Sequence, residues 1–215
     1  TFFNGNLYYQ RFFYSERSSN ITLSYLFTTA PAATESRNIY DPLPAGIPLK
    51  LNNLYSDADT RGTEHTFQTD YTTPLSKNQT LNAGAKFIGR RNISDSKFYN
   101  IIDGKEVFDT NNSVNYKNKQ SILASYIEYK LTLGKFSAKA GTRYEHTWEN
   151  VEFILGKGDN FKKNYDNLVP SASFTYNIGA AVNIGVNYSM RILRPGISFL
   201  NPYIDRSTPT VLSYG

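Results

Sequence analysis

The chain has 215 residues, of which 40% are hydrophobic, 15% aromatic and 19% charged; it carries a net charge of +5 and no cysteine. No apolar run reaches the roughly 18 residues that a transmembrane helix requires, and the missing thiols exclude a disulfide framework, a thiolate metal site and a Cys nucleophile. The 23 Lys and Arg are dispersed among 18 Asp and Glu, unlike the basic stripe of a nucleic-acid binder, so no nucleic-acid partner is expected.

Taken in chain order, the sequence alternates apolar and polar residues with period two, the pattern of strands with two chemically different faces. A weak alternation over 6–14 is followed by 20–29, where Ile21, Leu23, Tyr25 and Phe27 oppose Thr22, Ser24, Leu26 and Thr28. Another weak segment covers 64–73; over 80–91, Leu81, Ala83, Ala85 and Phe87 oppose Asn82, Gly84 and Lys86, with Ile88 breaking the pattern. The span 120–133 reads as a strand, and 135–147 sets Phe136, Ala138, Ala140, Thr142 and Tyr144 against Ser137, Lys139, Gly141, Arg143 and Glu145. The stretch 167–178 alternates Leu168, Pro170, Ala172, Phe174 and Tyr176 with serines and threonines. The clearest case is 181–192, with Val182, Ile184, Val186 and Tyr188 on one face and Asn183, Gly185, Asn187, Ser189 and Arg191 on the other.

These eight spans approach or exceed the ~9–11 residues of a tilted strand crossing a bilayer. Short connections alternate with long ones at 30–62, 91–118 and 148–165, as in an up-and-down outer-membrane barrel with brief turns on one side and long loops on the other. The expectation is an all-β antiparallel meander, residues 1–215 forming one segment of a transmembrane β-barrel. Tyr25, Phe27, Tyr126, Tyr129, Tyr144, Trp148, Phe174, Tyr176 and Tyr188 are read as interfacial girdles. A charge facing lipid at mid-depth costs ~2–4 kcal/mol. Lys139, Arg143, Glu145, Asn183, Asn187 and Arg191 are therefore expected on the lumen side.

The region 193–215 is irregular. Tyr188-Ser189-Met190-Arg191-Ile192, then Arg194-Pro195 and Leu200-Asn201-Pro202-Tyr203, resembles the "Y-S-x-R-I-x-R-P-x-x-x-x-L-N-P-Y/F" stretch of the outer-membrane β-barrel family of Bacteroidetes, within the TonB-dependent receptor superfamily. Gly141-Thr-Arg143-Tyr144-Glu145-His-Thr147 and Leu168-Val-Pro170-Ser171 are similar to the family's "G-x-R-Y-E-x-T" and "L-F-P-S", in the same order. The resemblance implies a piece of a larger barrel that encloses a plug domain, spans outer-membrane lipid and imports a nutrient such as a metal chelate, glycan or peptide. A TonB-type partner would supply the energy. Arg194, Pro195, Asn201, Pro202 and Tyr203 are read as structural rather than ligand-binding residues.

Enzymatic chemistry is not expected. His65 and His146 have no companion ligand at metal-site spacing, and no G-x-S-x-G nucleophile element occurs. No cofactor or metal is assigned. The acidic stretches at Asp57–Asp59 and Asp103–Asp109 lack the spacing of an EF-hand loop and read as solvated charges. The alternative is a soluble or surface-exposed β-sandwich that binds glycans or proteins. It differs in requiring a second sheet over Val182, Ile184, Val186 and Tyr188.

Overall fold

The computed structural model describes residues 2–14, 18–41, 52–156, 158–179 and 182–193, together with the backbone of 204–208 and 211–214. The main sheet contains β1 (Phe3–Phe13), β2 (Ser19–Asn38), β3 (Leu54–Ser76), β4 (Gln79–Ile102), β5 (Lys105–Phe108), β6 (Val114–Leu133), β7 (Phe136–Leu155), β8 (Phe161–Asn177) and β9 (Asn183–Ser189). Their order is β1-β2-β3-β4-β6-β7-β8-β9, every neighbour antiparallel, with β5 folded back on β4. A separate ribbon pairs β10 (Ile204–Thr208) with β11 (Val211–Tyr214). The sheet is an open meander ending at β1 and β9, and no helix occurs among the described residues.

Turn chemistry sets the register. Gly134 opens the two-residue β6–β7 turn with φ of 56°, a backbone conformation that glycine adopts without strain. The β4–β5 turn places Asp103 and Gly104 at φ of 50° and 75°, the Asp-Gly pair that type I′ hairpins favour because its twist matches the strands.

The strands extend far beyond the alternating segments. β4 has 24 residues, β6 and β7 have 20 each, about twice what a bilayer crossing needs. Much of the expected loops is therefore strand: Ala30↔Gly62 to Asn38↔Leu54 prolongs β2–β3, and Ile93↔Lys117 and Lys117↔Glu152 prolong β4–β6–β7. Polar residues are mixed into both faces of these extensions, so their hydropathy alternation is weak, although Thr, Tyr and Ile still favour an extended ladder. At the other end, β9 stops at Ser189, so Arg191 lies beyond the strand expected to hold it. Arg194, Pro195, Asn201, Pro202 and Tyr203 lie outside the described residues.

Residues paired across an antiparallel ladder share a face, so the register sorts the side chains. One row on the apolar face links Leu7, Tyr25, Phe67, Phe87, Leu123, His146 and Asp166. Large side chains on this face stand open, with Leu7 at 70%, Leu168 at 62% and Val186 at 68% exposure. The few buried hydrophobics, including Ile88, Tyr116, Ile122 and Val151, sit on the opposite face. A contiguous apolar surface of this extent marks a membrane or partner surface. Among the described residues no second sheet covers Ile184, Val186 and Tyr188, as the sandwich alternative would require.

The same row measures the stagger. From it to the short-turn ends run Leu7 to Phe13, Phe67 to Ser76, Leu123 to Leu133 and Asp166 to Asn177: six, nine, ten and eleven positions. A drift of five residues over six strand spacings, at ~3.3 Å per residue and ~4.8 Å per strand, is a tilt of about 30°. Tilt of this kind is what a closed barrel demands of its strands.

Candidate functional site

The polar face carries the ionisable groups, and the ladder brings them together in tiers. Nearest the short turns, Glu128 bridges two strands: Asn82 donates to its Oε1 at 3.1 Å and Lys139 Nζ lies 3.0 Å from its Oε2. Further along, Tyr126 arches over Gly84, which leaves room for its ring, and donates to Asp70 Oδ1 at 2.5 Å. Gln68 donates to the other Asp70 oxygen at 2.8 Å. A Cβ on Gly84 would stand 2.4 Å from the Tyr126 ring and 2.6 Å from the Thr69 carbonyl oxygen, so only glycine admits this crossing.

Arg143, opposite Tyr126 in the register, and Glu145, one row outward, are two residues apart on β7 and therefore on one face. Glu145 is 4% exposed, and Arg143 Nε lies 2.7 Å from its Oε1. The N–H is not aimed along that line, so the contact is an ion pair rather than a formed hydrogen bond. Stripping water from a carboxylate is costly unless a cation stands beside it. Outermost, Arg90 donates to Glu64 at 2.5 Å and to Gln120 at 3.2 Å, and Glu149 accepts from Asn118 and Gln120 at 3.3 and 3.4 Å. Lys139, Arg143 and Glu145 thus share one face with Asn183 and Asn187, which β9 places there through Asn177↔Asn183 and Ser173↔Asn187. Arg191 is exposed beyond β9 and joins none of these tiers.

Tyr126, expected in a girdle, belongs to this polar face instead. Residue type suggested an interfacial role, but Tyr126 pairs with Gly84 in the register and turns toward Asp70. The partnership joins residues 56 apart in sequence, which no local pattern reveals.

The two histidines lie on the apolar face, at its outer margin. Tyr25 Oη is 2.8 Å from His65 Nδ1. Asp166 Oδ1 is 2.5 Å from His146 Nδ1 and accepts a hydrogen bond from Tyr144 at 2.5 Å, while Trp148 meets His146 edge-on at 4.3 Å. The spacing Tyr144, His146, Trp148 already puts all three on one face; Asp166 is invisible until β8 is in register.

Outside the tiers, the outer end of β4 folds into a hairpin organised by Asp109. Its carboxylate accepts from the Asn111 and Asn112 amides at 3.0 and 3.2 Å and from the Asn100 and Asn112 side chains at 3.1 and 2.5 Å. Desolvation works to raise its pKa, but these hydrogen bonds together outweigh it and hold Asp109 below the ordinary carboxylate range. Ser113 closes the turn, accepting from the Phe98 amide at 2.9 Å and donating to the Asp109 carbonyl at 2.7 Å. Glu106 pairs with Arg37. Asp109 and Glu106 thus have protein partners, and no group of three potential metal ligands converges among the described residues.

A family model described as "Outer membrane protein beta-barrel family" matches residues 10–215. The chain belongs to that family. Its place is the bacterial outer membrane, and its meander is part of a transmembrane barrel. Among solved structures, this barrel segment is similar to the ferric citrate transporter FecA in the unliganded form. The TM-score is 0.56 at 13% identity, covering 86% of this chain and 26% of that one. It is also similar to the ferric yersiniabactin uptake receptor FyuA from Yersinia pestis, with TM-score 0.51 at 13% identity, covering 80% of this chain and 27% of that one. At such identity the likeness shows the fold, and the segment spans about a quarter of each neighbour's length. No curated protein matches the chain.

Proposed function

We propose that this barrel segment belongs to a Bacteroidetes-type TonB-dependent receptor that binds a nutrient ligand (a metal chelate, glycan or peptide) and imports it without chemical conversion. The observation that carries the reading is the division of the sheet into an exposed apolar face and a face tiered with paired charges. The apolar face meets outer-membrane lipid. The polar face lines the lumen, where Lys139, Arg143, Glu145, Asn183 and Asn187 stand opposite a plug domain, with Arg191 beyond the end of β9 at the margin of that face. Pairing within the tiers leaves a hydrated surface of little net charge, against which a polar plug can shift when a TonB-type protein pulls on it. The ordered motifs shared with the Bacteroidetes branch, and the transporter neighbours, support the same assignment.

The test is a cysteine scan of β9 in the whole parent protein in its native membrane, using a water-soluble thiol reagent. Labelling at Asn183, Gly185, Asn187 and Ser189, with Ile184, Val186 and Tyr188 shielded, is the expected result. Protection of both faces, together with release of the protein by a salt wash, would overturn it. Ligand accumulation that requires both the parent receptor and the TonB-type partner then tests import itself.

A further inference from the structure

Beyond its apolar belt, the same face of the sheet carries a cationic band two rows deep, bounded on its outer side by Asp59 opposite Asp95. The row outward of the one containing Trp148 reads Thr63, Arg91, Lys119, Asn150 and Lys162 across β3, β4, β6, β7 and β8. The next reads Arg61, Ile93, Lys117 and Glu152. Arg61, Arg91, Lys119 and Lys162 are exposed. Among the described residues none of these five cations has an ion-pair partner, whereas Arg90, Lys139 and Arg143 on the opposite face are each matched with a carboxylate. The one acid in the two rows, Glu152, accepts from the Asn150 side chain at 2.9 Å.

Arg91 and Lys119 stand directly opposite each other in the register. Like charges in that position destabilise a sheet unless an anion from outside lies between them. The position of the band names that anion's source: it begins one row beyond the Tyr144, His146 and Trp148 girdle, at the depth where outer-leaflet headgroups begin. Arg91 and Lys162 are three strands apart, about 14 Å at the usual spacing, a span suited to a disaccharide headgroup with a phosphate at each end. Guanidinium grips phosphate with two parallel hydrogen bonds, and lysines add point charges around it.

We propose that Arg91, Lys119 and Lys162, with Arg61 and Lys117 behind them, bind the phosphates of the outer leaflet's glycolipid headgroups, fixing a ring lipid against this side of the barrel. The proposal rests on the reading that the apolar face meets lipid.

The experiment uses the full parent barrel, purified in detergent and offered bis-phosphorylated lipid A, the same lipid with its phosphates removed, and inorganic phosphate. Retained lipid is quantified by native mass spectrometry. Wild type is expected to prefer the phosphorylated lipid, and Arg91→Gln/Lys119→Gln/Lys162→Gln to lose roughly a hundredfold in that preference, about fivefold per cation. Lys97→Gln, two rows outward of the band, should retain it. Equal retention of both lipids by wild type, or an unchanged preference in the triple variant, would overturn the proposal. Displacement of the lipid by millimolar inorganic phosphate would overturn the lipid as the source. A heat-dependent shift in gel mobility confirms that each variant is a folded barrel. Thiol labelling at Phe67 and Leu123 separates the two readings: labelled positions defeat the lipid-facing assignment, whereas shielded positions with no phosphate preference defeat only the binding band.

Discussion

The inner and outer halves of β6 and β7 belong to one antiparallel ladder, broken only by a register shift at Asn115 and Tyr116 near its outer end, yet they obey different rules. Near the short turns, Ile127, Tyr129, Phe136 and Tyr144 are exposed or half-exposed on one face, while Lys139, Arg143 and Glu145 occupy the other. In the outer half the arrangement reverses: Val114, Tyr116 and Val151 form a small core on the face that is charged below, with Phe153 packed against it. The face that is apolar below carries Lys117 and Lys119. Backbone pairing is indifferent to which solvent lies on either side; side-chain partition is not. The boundary between the halves is therefore written in the side chains alone.

The strongest way to break this comparison is to make one substitution on both sides of the boundary. Ile127→Arg places a cation on the apolar face at mid-depth and is expected to cost ~2–4 kcal/mol. Ile154→Arg, in the outer half of β7 and already 58% exposed, is expected to stay within about 0.5 kcal/mol. Urea unfolding of the parent barrel in lipid vesicles measures both, and equal costs would erase the boundary.

Within the inner half, Gly84→Ala should drive Tyr126 off its crossing and cost ~1–3 kcal/mol, the range for overpacking a filled site. Tyr126→Phe keeps the ring and loses the hydrogen bond to Asp70, for about 1 kcal/mol. Vesicle unfolding of the single and double variants should show the two effects to be non-additive, since both act on one contact.

The outer hairpin carries a pH-dependent contact of its own. Asp109 titrates lower in the folded protein than in the unfolded chain. Its contribution is complete above the unfolded pKa of ~3.9 and is lost as pH falls through the folded value. Hydrogen exchange should show protection of the Asn111 and Asn112 amides weakening below about pH 4. Asp109→Asn should flatten that dependence. The smallest effect belongs to the exposed Arg37–Glu106 pair: Arg37→Ala should change unfolding by less than about 1 kcal/mol, and still less at high salt.

The inner half was legible in the sequence because water, apolar surroundings and a period-two backbone together force alternation. Val182 to Ser189 shows it without any structure, and Arg143 with Glu145 announces a shared face by spacing alone. The outer half reads as loops because polar residues dominate both its faces: Ser94 and Asn118 are buried there beside Val114 and Tyr116, so burial does not follow hydropathy, and Thr60 pairs without any periodic signal. Within the site, contacts along one strand could be anticipated. Contacts across strands, such as Asp70 with Tyr126 or His146 with Asp166, depend on a register that only the assembled ladder supplies.

The stagger of the strands has a consequence for closure. Each step to the next strand advances the strand ends by about 0.8 residue along the row. Carried around a barrel of ~22 strands, the size of plugged transporters, this amounts to a displacement of about 18 residues. The displacement is shared equally: every strand, the last against the first included, is offset from its neighbour by the same fraction of a residue, and the sum is taken up as tilt. A closed barrel of this stagger is a screw without a seam, in which no pair of strands carries more of the climb than any other.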